Sequence, residues 1–109
     1  MTSFDDREKS FERKFALDEE LQFRSTARRN KLLGLWAAEK MGLSGDEAQA
    51  YAREVVKADL EEPGEEDVYR KIQSDFEAKG VEQSEHQIRR AMVDFLAEAV
   101  RQIEAESKG

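Results

Sequence analysis

Two segments of the sequence repeat their apolar residues with the period of an α-helix, and this constrains the fold more than any other feature. The first follows an i, i+3, i+4, i+7, i+8 pattern and consists of Ala48, Tyr51, Ala52, Val55 and Val56. The second consists of Ile88, Ala91, Met92, Phe95, Leu96, Ala99 and Ile103. The 109 residues include only one proline and are rich in strong helix formers. The sequence therefore predicts an all-α fold.

Glycines mark the ends of the first and third predicted helices. The first is capped by Ser3, runs to about Met41 and ends at Gly42. The third covers residues 65–79, and Gly80 supplies the left-handed position that follows it. The buried face of this third helix is expected to consist of Val68, Ile72 and Phe76.

Two serine pairs predict the starts of the second and fourth helices. Ser44 precedes Glu47 by three residues, and Ser84 precedes Gln87 by three residues. In such a capping box the serine hydroxyl accepts a hydrogen bond from the backbone of the later residue, whose side chain bonds back to the serine N–H. Residues 59–67 hold six acids around the single proline, so we expect a turn there.

A small four-helix bundle is the architecture that these elements predict. The connections are short, which favours antiparallel neighbours. Trp36 is expected in the shared core, and Gly34 inside the first helix predicts close approach by another helix.

The N-terminal segment is dominated by charge but carries a narrow apolar stripe. At about 100° per residue, Phe4, Phe11 and Phe15 lie within about 40° of one another on a helix. We call these three residues the phenylalanine stripe, and it suits an amphipathic helix that docks in the groove of a partner. The predicted partner-binding residues are Phe4, Arg7, Phe11, Arg13, Lys14, Phe15 and Leu17.

The arm and the bundle are expected to separate near residue 23. Only Ala27 is apolar between Phe23 and Leu32, so the first helix is predicted to leave the bundle within residues 15–27. The predicted organisation is an N-terminal arm over residues 1–23, which projects or frays, and a bundle domain over residues 24–109.

Charge and composition exclude several classes of function. Residues 1–43 hold nine basic and eight acidic residues, whereas residues 44–109 hold nine basic and 17 acidic residues, giving a net charge of −7. Phosphate repels so acidic a chain, so nucleic acid is not an expected partner. No cysteine is present and no apolar run is long enough to span a membrane, so we expect a cytoplasmic protein without membrane insertion.

Catalytic and metal-binding patterns are lacking in the sequence. His86 is the only histidine and is expected at the surface. The acids around Pro63 lack the ligand spacing of a calcium loop, and the glycines are too isolated to form a phosphate loop. We therefore expect a protein that is not an enzyme and has no resident metal or cofactor.

A basic cluster leaves one alternative open. Arg28, Arg29 and Lys31 lie in a stretch without acids, and a solvated helix face is the ordinary interpretation. With Arg89 and Arg90 they could instead hold the phosphates of ATP or ADP weakly, as a nucleotide-responsive module.

The chain resembles the ζ subunit family of the alphaproteobacterial F1Fo-ATP synthase, a family also catalogued as one of unknown function. The segments that carry the resemblance are SFDDRE at residues 3–8, ARRNKLLGLWAAEKMGL at 27–43, the helix with Ala50-Tyr51-Ala52 and Val55-Val56, and EEPGEEDV at 61–68. The resemblance implies a four-helix protein whose N-terminal segment, about residues 1–19, inhibits ATP hydrolysis. A helix would wedge into a catalytic α/β interface of F1 near the γ subunit.

The resemblance also implies where and with what the protein acts. The implied partners are the α, β and γ subunits of F1, at the inner face of the plasma membrane, and the free protein is expected to be a monomer. An adaptor whose arm recognises an unrelated protein remains an alternative, because a phenylalanine stripe specifies a groove but not its owner.

Overall fold

The computed structural model describes residues 19–108, which form four α-helices. Their bounds are Glu19–Lys40 for α1, Gly45–Glu61 for α2, Glu65–Lys79 for α3 and Glu85–Lys108 for α4. No strand occurs in this range. α1 contacts each of the other three helices, most extensively α2 and α4. The predicted all-α four-helix architecture is confirmed.

The core draws buried side chains from all four helices. Its members are Leu33, Ala37, Ala38, Tyr51, Val55, Val68, Tyr69, Ile72, Phe76, Ile88 and Met92. Trp36 packs against this cluster, with its ring centroid 5.8 Å from that of Phe76 and 6.4 Å from that of Phe95. The predictions for Trp36 and for the buried face of α3 are confirmed.

Glycine residues end α1 and α3 as predicted. Gly42 has φ +80° and Gly80 has φ +72°, a left-handed conformation that glycine adopts without strain. After each glycine the next N–H bonds back into the helix, from Val81 to the Phe76 carbonyl and from Leu43 to the Ala38 carbonyl, both at 2.8 Å. Carbonyl groups that the helix end leaves unpaired are thereby satisfied.

One predicted capping box forms and the other does not. The Ser84 N–H donates to Gln87 Oε1 at 2.9 Å, and the Gln87 N–H donates to Ser84 Oγ at 3.1 Å. Ser44 is also the residue before its helix, but its side chain makes no capping hydrogen bond. Gly45 has φ +56°, so the first turn of α2 departs from regular helical geometry. The Ser44 box is therefore a wrong prediction.

The acidic turn is shorter than the sequence predicts. α2 continues to Glu61 and α3 begins at Glu65, so only residues 62–64 of the predicted turn over 59–67 lie outside a helix. Asp59 Oδ1 accepts a hydrogen bond from the Gly64 N–H at 3.2 Å, which holds the turn closed. The acids that follow lie in the first turn of α3, where the helix dipole favours negative charge.

The predicted boundary between the arm and the bundle lies inside a continuous helix. α1 runs without a break across the boundary predicted at residue 23, and Ser25 is 0% exposed. The first helix therefore does not leave the bundle within residues 25–27, because the packing of Ser25 and its successors holds it there. The predicted contact residues of the arm, from Phe4 to Leu17, lie outside the described residues.

Candidate functional site

An open groove lies between α1 and α2 on the surface of the bundle, and we call it the α1–α2 groove. Phe23, Ala27 and Lys31 line it from α1, and Ala52, Val56 and Leu60 line it from α2. A hollow of about 350 Å³ lies beside Lys31, and one of about 440 Å³ lies near Glu19. A narrower section between Phe23 and Val56 joins them.

Two large apolar side chains are exposed to solvent at the groove. Phe23 is 60% exposed and Leu60 is 56% exposed, and both line the section near Glu19. A single exposed apolar residue is ordinary, but two that border the same groove form a surface that a partner can cover. In the described bundle the groove therefore has an apolar floor that is exposed to water.

The two ends of the groove carry opposite charge. Lys31, Arg53 and Lys57 surround the hollow that we call the basic end. Glu19 and Asp59 line the other hollow, which we call the acidic end. Within residues 19–108 Lys31 and Arg53 form no ion pair, whereas Lys57 lies 3.9 Å from the carboxylate of Glu61 on an exposed surface. The basic end thus holds cations that are free to meet a partner's carboxylates.

Polar contacts fix α1 beside the groove. Arg28 donates to Gln102 at 2.7 Å and to Glu106 at 2.9 Å, which ties α1 to the end of α4. Asn30 is 1% exposed, and its Nδ2 donates to Asp59 Oδ2 at 2.8 Å, which ties α1 to the end of α2. These contacts hold α1 to the bundle at Arg28 and Asn30, about two and a half turns or more after the first residue of the helix.

The predicted phosphate-binding cations are not gathered in one place. Arg28 pairs with α4, and Arg90 pairs within α4 with Asp94 at 3.4 Å. Lys31 lies apart from these pairs, at the basic end of the groove. Each of these arginines already faces a carboxylate, which competes with phosphate for the guanidinium. Nucleotide binding stays a prediction.

Two of the predicted cations contact neighbouring acids at the start of α3. Arg29 is 3% exposed and reaches Glu65 at 3.5 Å, and Arg89 reaches the neighbouring Glu66 at 2.9 Å. The hydrogen bond from Arg89 lowers the pKa of the Glu66 carboxyl below its usual value. The Arg89 guanidinium also lies 4.2 Å from the ring centroid of Tyr69. These contacts join three helices, so they stabilise the bundle.

The buried Tyr51 links α2 to α3 through a hydrogen bond that no local sequence pattern indicated. The Tyr51 hydroxyl donates to Asp75 Oδ2 at 2.6 Å, and Lys71 also donates to that oxygen at 3.1 Å. Burial, then the hydrogen bond to Asp75, raises the pKa of the Tyr51 phenol far above its usual value. Tyr51 is therefore a neutral hydrogen-bond donor at any physiological pH.

The described bundle offers no sign of metal chemistry. His86 is exposed in the first turn of α4, as predicted. Among residues 19–108, no three or more histidine, cysteine or acidic side chains are placed to hold a metal ion. None of the four described helices is long and apolar enough to cross a membrane.

A family model matches the chain over both the N-terminal segment and most of the bundle. The family model of ATPase inhibitor subunit zeta matches residues 1–102. A protein solved by solution NMR is 51% identical, with a TM-score of 0.70, over 79% of this chain and 98% of that one. None of the curated proteins matches the chain.

Proposed function

The chain belongs to the ATPase inhibitor subunit zeta family, and from this premise we propose that it inhibits ATP hydrolysis by the F1 sector of ATP synthase. The observation that carries the proposal is that the family match begins at residue 1. It therefore includes the charged segment with the phenylalanine stripe as well as the bundle. A regulatory protein of this kind needs a surface that binds the enzyme, and it needs no catalytic residues of its own.

The N-terminal arm is the inhibitory element in this proposal. Its helix inserts at a catalytic α/β interface near the γ subunit and blocks rotation in the direction of hydrolysis. Each buried phenylalanine contributes about 1.5–3 kcal/mol, whereas ordering the backbone costs about 1–2 kcal/mol per residue. The stripe alone is therefore insufficient, and helix hydrogen bonds with charge pairs from Arg7, Arg13 and Lys14 add to it.

The bundle holds the base of the arm. Arg28 and Asn30 fix α1 to α4 and α2, so an inserted arm is attached to a rigid body and not to a loose chain. We propose the α, β and γ subunits as the partners, at the inner face of the plasma membrane on the cytoplasmic side. The free protein is proposed to be a monomer.

The proposal is tested by removing two rings of the stripe. We expect Phe4→Ala combined with Phe11→Ala to abolish inhibition of ATP hydrolysis by purified alphaproteobacterial F1. The thermal midpoint of the bundle should not change, because these rings are assigned to the partner and not to the core. Val93→Ala, at an exposed position of α4, is the matched control and should inhibit like the unaltered chain.

Two results contradict the proposal. The first is full inhibition by the double variant, which would show that the stripe is not the contact with F1. The second is a large fall of its thermal midpoint, which would place the rings in the core of the bundle.

A further inference from the structure

We propose that the α1–α2 groove is a second contact with F1, separate from the arm, and that it binds an apolar segment of the enzyme that carries carboxylates. This inference rests on the proposed function, because the arm brings the bundle to the enzyme. The groove adds affinity and orients the bundle, whereas the arm alone blocks rotation.

The basic side chains that lack an ion pair gather at the groove. Most basic residues of the described bundle face a carboxylate. Within residues 19–108, Arg24, Lys31 and Arg53 form no ion pair, and all three line the groove. We call these three the free cations. Lys40 and Lys79 form no ion pair in this range either, but they lie in the last turns of α1 and α3, where the helix dipole favours a cation. The free cations are therefore available to carboxylates of a partner.

The groove places its free cations about two helical turns from its exposed apolar side chains. Phe23 precedes Lys31 by eight positions on α1, which is about 12 Å along the axis. Arg53 precedes Leu60 by seven positions on α2, which is about 10 Å. A partner helix that lies along the groove meets both features with an apolar side chain and a carboxylate two turns apart on one face. The expected occupant is therefore an amphipathic segment with acidic residues towards one end.

The position of the groove next to the arm commits this occupant to F1. Glu19 lines the acidic end of the groove, and the arm is joined to this residue. At no more than about 3.6 Å per residue, Phe15 stays within about 14 Å of Glu19 in any conformation of the chain. An arm bound through Phe15 therefore brings this end of the groove close to the enzyme surface around its own binding site. Any other protein would have to enter between the bundle and the enzyme.

A second contact strengthens binding even when it is weak by itself. Once the arm is bound, the groove meets the enzyme at an effective concentration in the millimolar range, as an order of magnitude. Arg28 and Asn30 hold α1 to the bundle, so the groove keeps its shape while the arm is engaged. Loss of the groove contact should therefore raise the dissociation constant without changing the extent of inhibition at saturation.

Two changes in the groove test this contact in the full chain with purified alphaproteobacterial F1. Leu60→Ser removes an exposed apolar side chain, and Arg53→Glu reverses one of the free cations. Each should raise the dissociation constant about tenfold. The dissociation constant of Arg53→Glu should also depend less on salt, because the lost contact is between charges. Since the arm is unaltered, both variants should still inhibit F1 fully at saturating concentration.

Two matched changes away from the groove are the controls. Val93→Ser replaces an exposed apolar residue of α4, and Lys79→Glu reverses an exposed basic residue of α3. Both should bind F1 like the unaltered chain. All four positions are exposed, so thermal unfolding should show that each variant keeps the bundle.

Two results overturn the proposal. One is an unchanged dissociation constant for both Leu60→Ser and Arg53→Glu. The other is a dimer of the free chain in sedimentation velocity that Leu60→Ser dissociates, because the groove is then occupied by a second copy.

Measuring binding and inhibition in parallel separates this proposal from the proposed function. If the unaltered chain binds F1 without inhibiting it, the proposed function fails, and the dissociation constants of the variants still decide the role of the groove. If the unaltered chain inhibits F1 and both groove variants bind equally well, only the groove proposal fails. If the unaltered chain does not bind F1, both fail.

Discussion

Gly34 of α1 packs directly against the backbone of Ala52 in α2. A β-carbon at Gly34 would lie 2.7 Å from the Ala52 α-carbon and 3.3 Å from Val55 Cγ2. The first of these distances is shorter than carbon atoms tolerate, so the two helices can approach this closely only because position 34 has no side chain. The same two helices form the sides of the α1–α2 groove. The contact therefore sets the distance between the helices that line it.

Gly34→Ala should destabilise the bundle. Alanine favours the helix by about 1 kcal/mol, but the added methyl meets backbone that cannot rotate away. We expect a net loss of about 1–3 kcal/mol in the free energy of unfolding. Urea denaturation followed by the fluorescence of Trp36, the only tryptophan, measures it.

The matched control adds an atom where there is room. Ala50 is exposed on α2, and Ala50→Ser should change the free energy of unfolding by less than about 0.5 kcal/mol. If Gly34→Ala had a larger free energy of unfolding than the unaltered chain, the two helices would be able to move apart at this crossing without cost.

Asn30 and Asp59 should be energetically coupled. Asn30→Ala removes the donor to Asp59 Oδ2 in a buried site and should cost about 1–3 kcal/mol. In a double-mutant cycle with Asp59→Ala, we expect a coupling energy of about 1 kcal/mol. Urea denaturation of the four proteins measures it, and strictly additive effects would contradict the proposed link.

The two serines before α2 and α4 should respond differently to the same change. Ser84→Ala removes the hydroxyl that accepts the hydrogen bond from the Gln87 N–H in a formed capping box, and it should cost about 1 kcal/mol. Ser44→Ala should cost less, because the Ser44 side chain makes no capping bond. Thermal unfolding of both variants gives the comparison, and an equal loss would contradict it.

Because of Tyr51, the free energy of unfolding should decrease at alkaline pH. The pKa of its phenol is raised in the folded state, whereas in the unfolded chain it lies near 10. Its contribution to stability is complete below pH 10 and is lost as the pH rises beyond that value, because only the unfolded chain then ionises readily. Urea denaturation between pH 8 and about 11 should show this loss.

Tyr51→Phe separates the two effects of this residue. The variant should be less stable near neutral pH by about 1 kcal/mol, since the bond to Asp75 is lost. Its stability should then fall less steeply above pH 10. An identical alkaline slope in both proteins would show that Tyr51 does not cause it.

Local sequence signals predicted the helices better than they predicted the details of their ends. The pairs at Ser84 and at Ser44 look alike in sequence, and their different outcomes depend on the conformation of Gly45. The turn after α2 was predicted too long because its acids have distant partners. Asp59 is held by Asn30, and Glu65 is held by Arg29 from α1.

The phenylalanine stripe is visible in the sequence, but the groove is not. Phe23 and Leu60 are distant in the chain and each looks like an isolated apolar residue, so only the packing of α1 on α2 reveals the surface that they share. The same limit applies to the predicted cation cluster. Arg28 and Arg89 are paired with acids on other helices that no local pattern connects to them.

Inhibition by the N-terminal arm is tested most simply by ATP hydrolysis of purified alphaproteobacterial F1 with the full chain and with a chain lacking residues 1–18. Circular dichroism and Trp36 fluorescence should confirm that the shortened chain keeps its bundle. We expect the full chain to inhibit hydrolysis and the shortened chain to leave it unchanged. Equal inhibition by both would place the inhibitory surface on the bundle, and no inhibition by the full chain would contradict the proposed function itself.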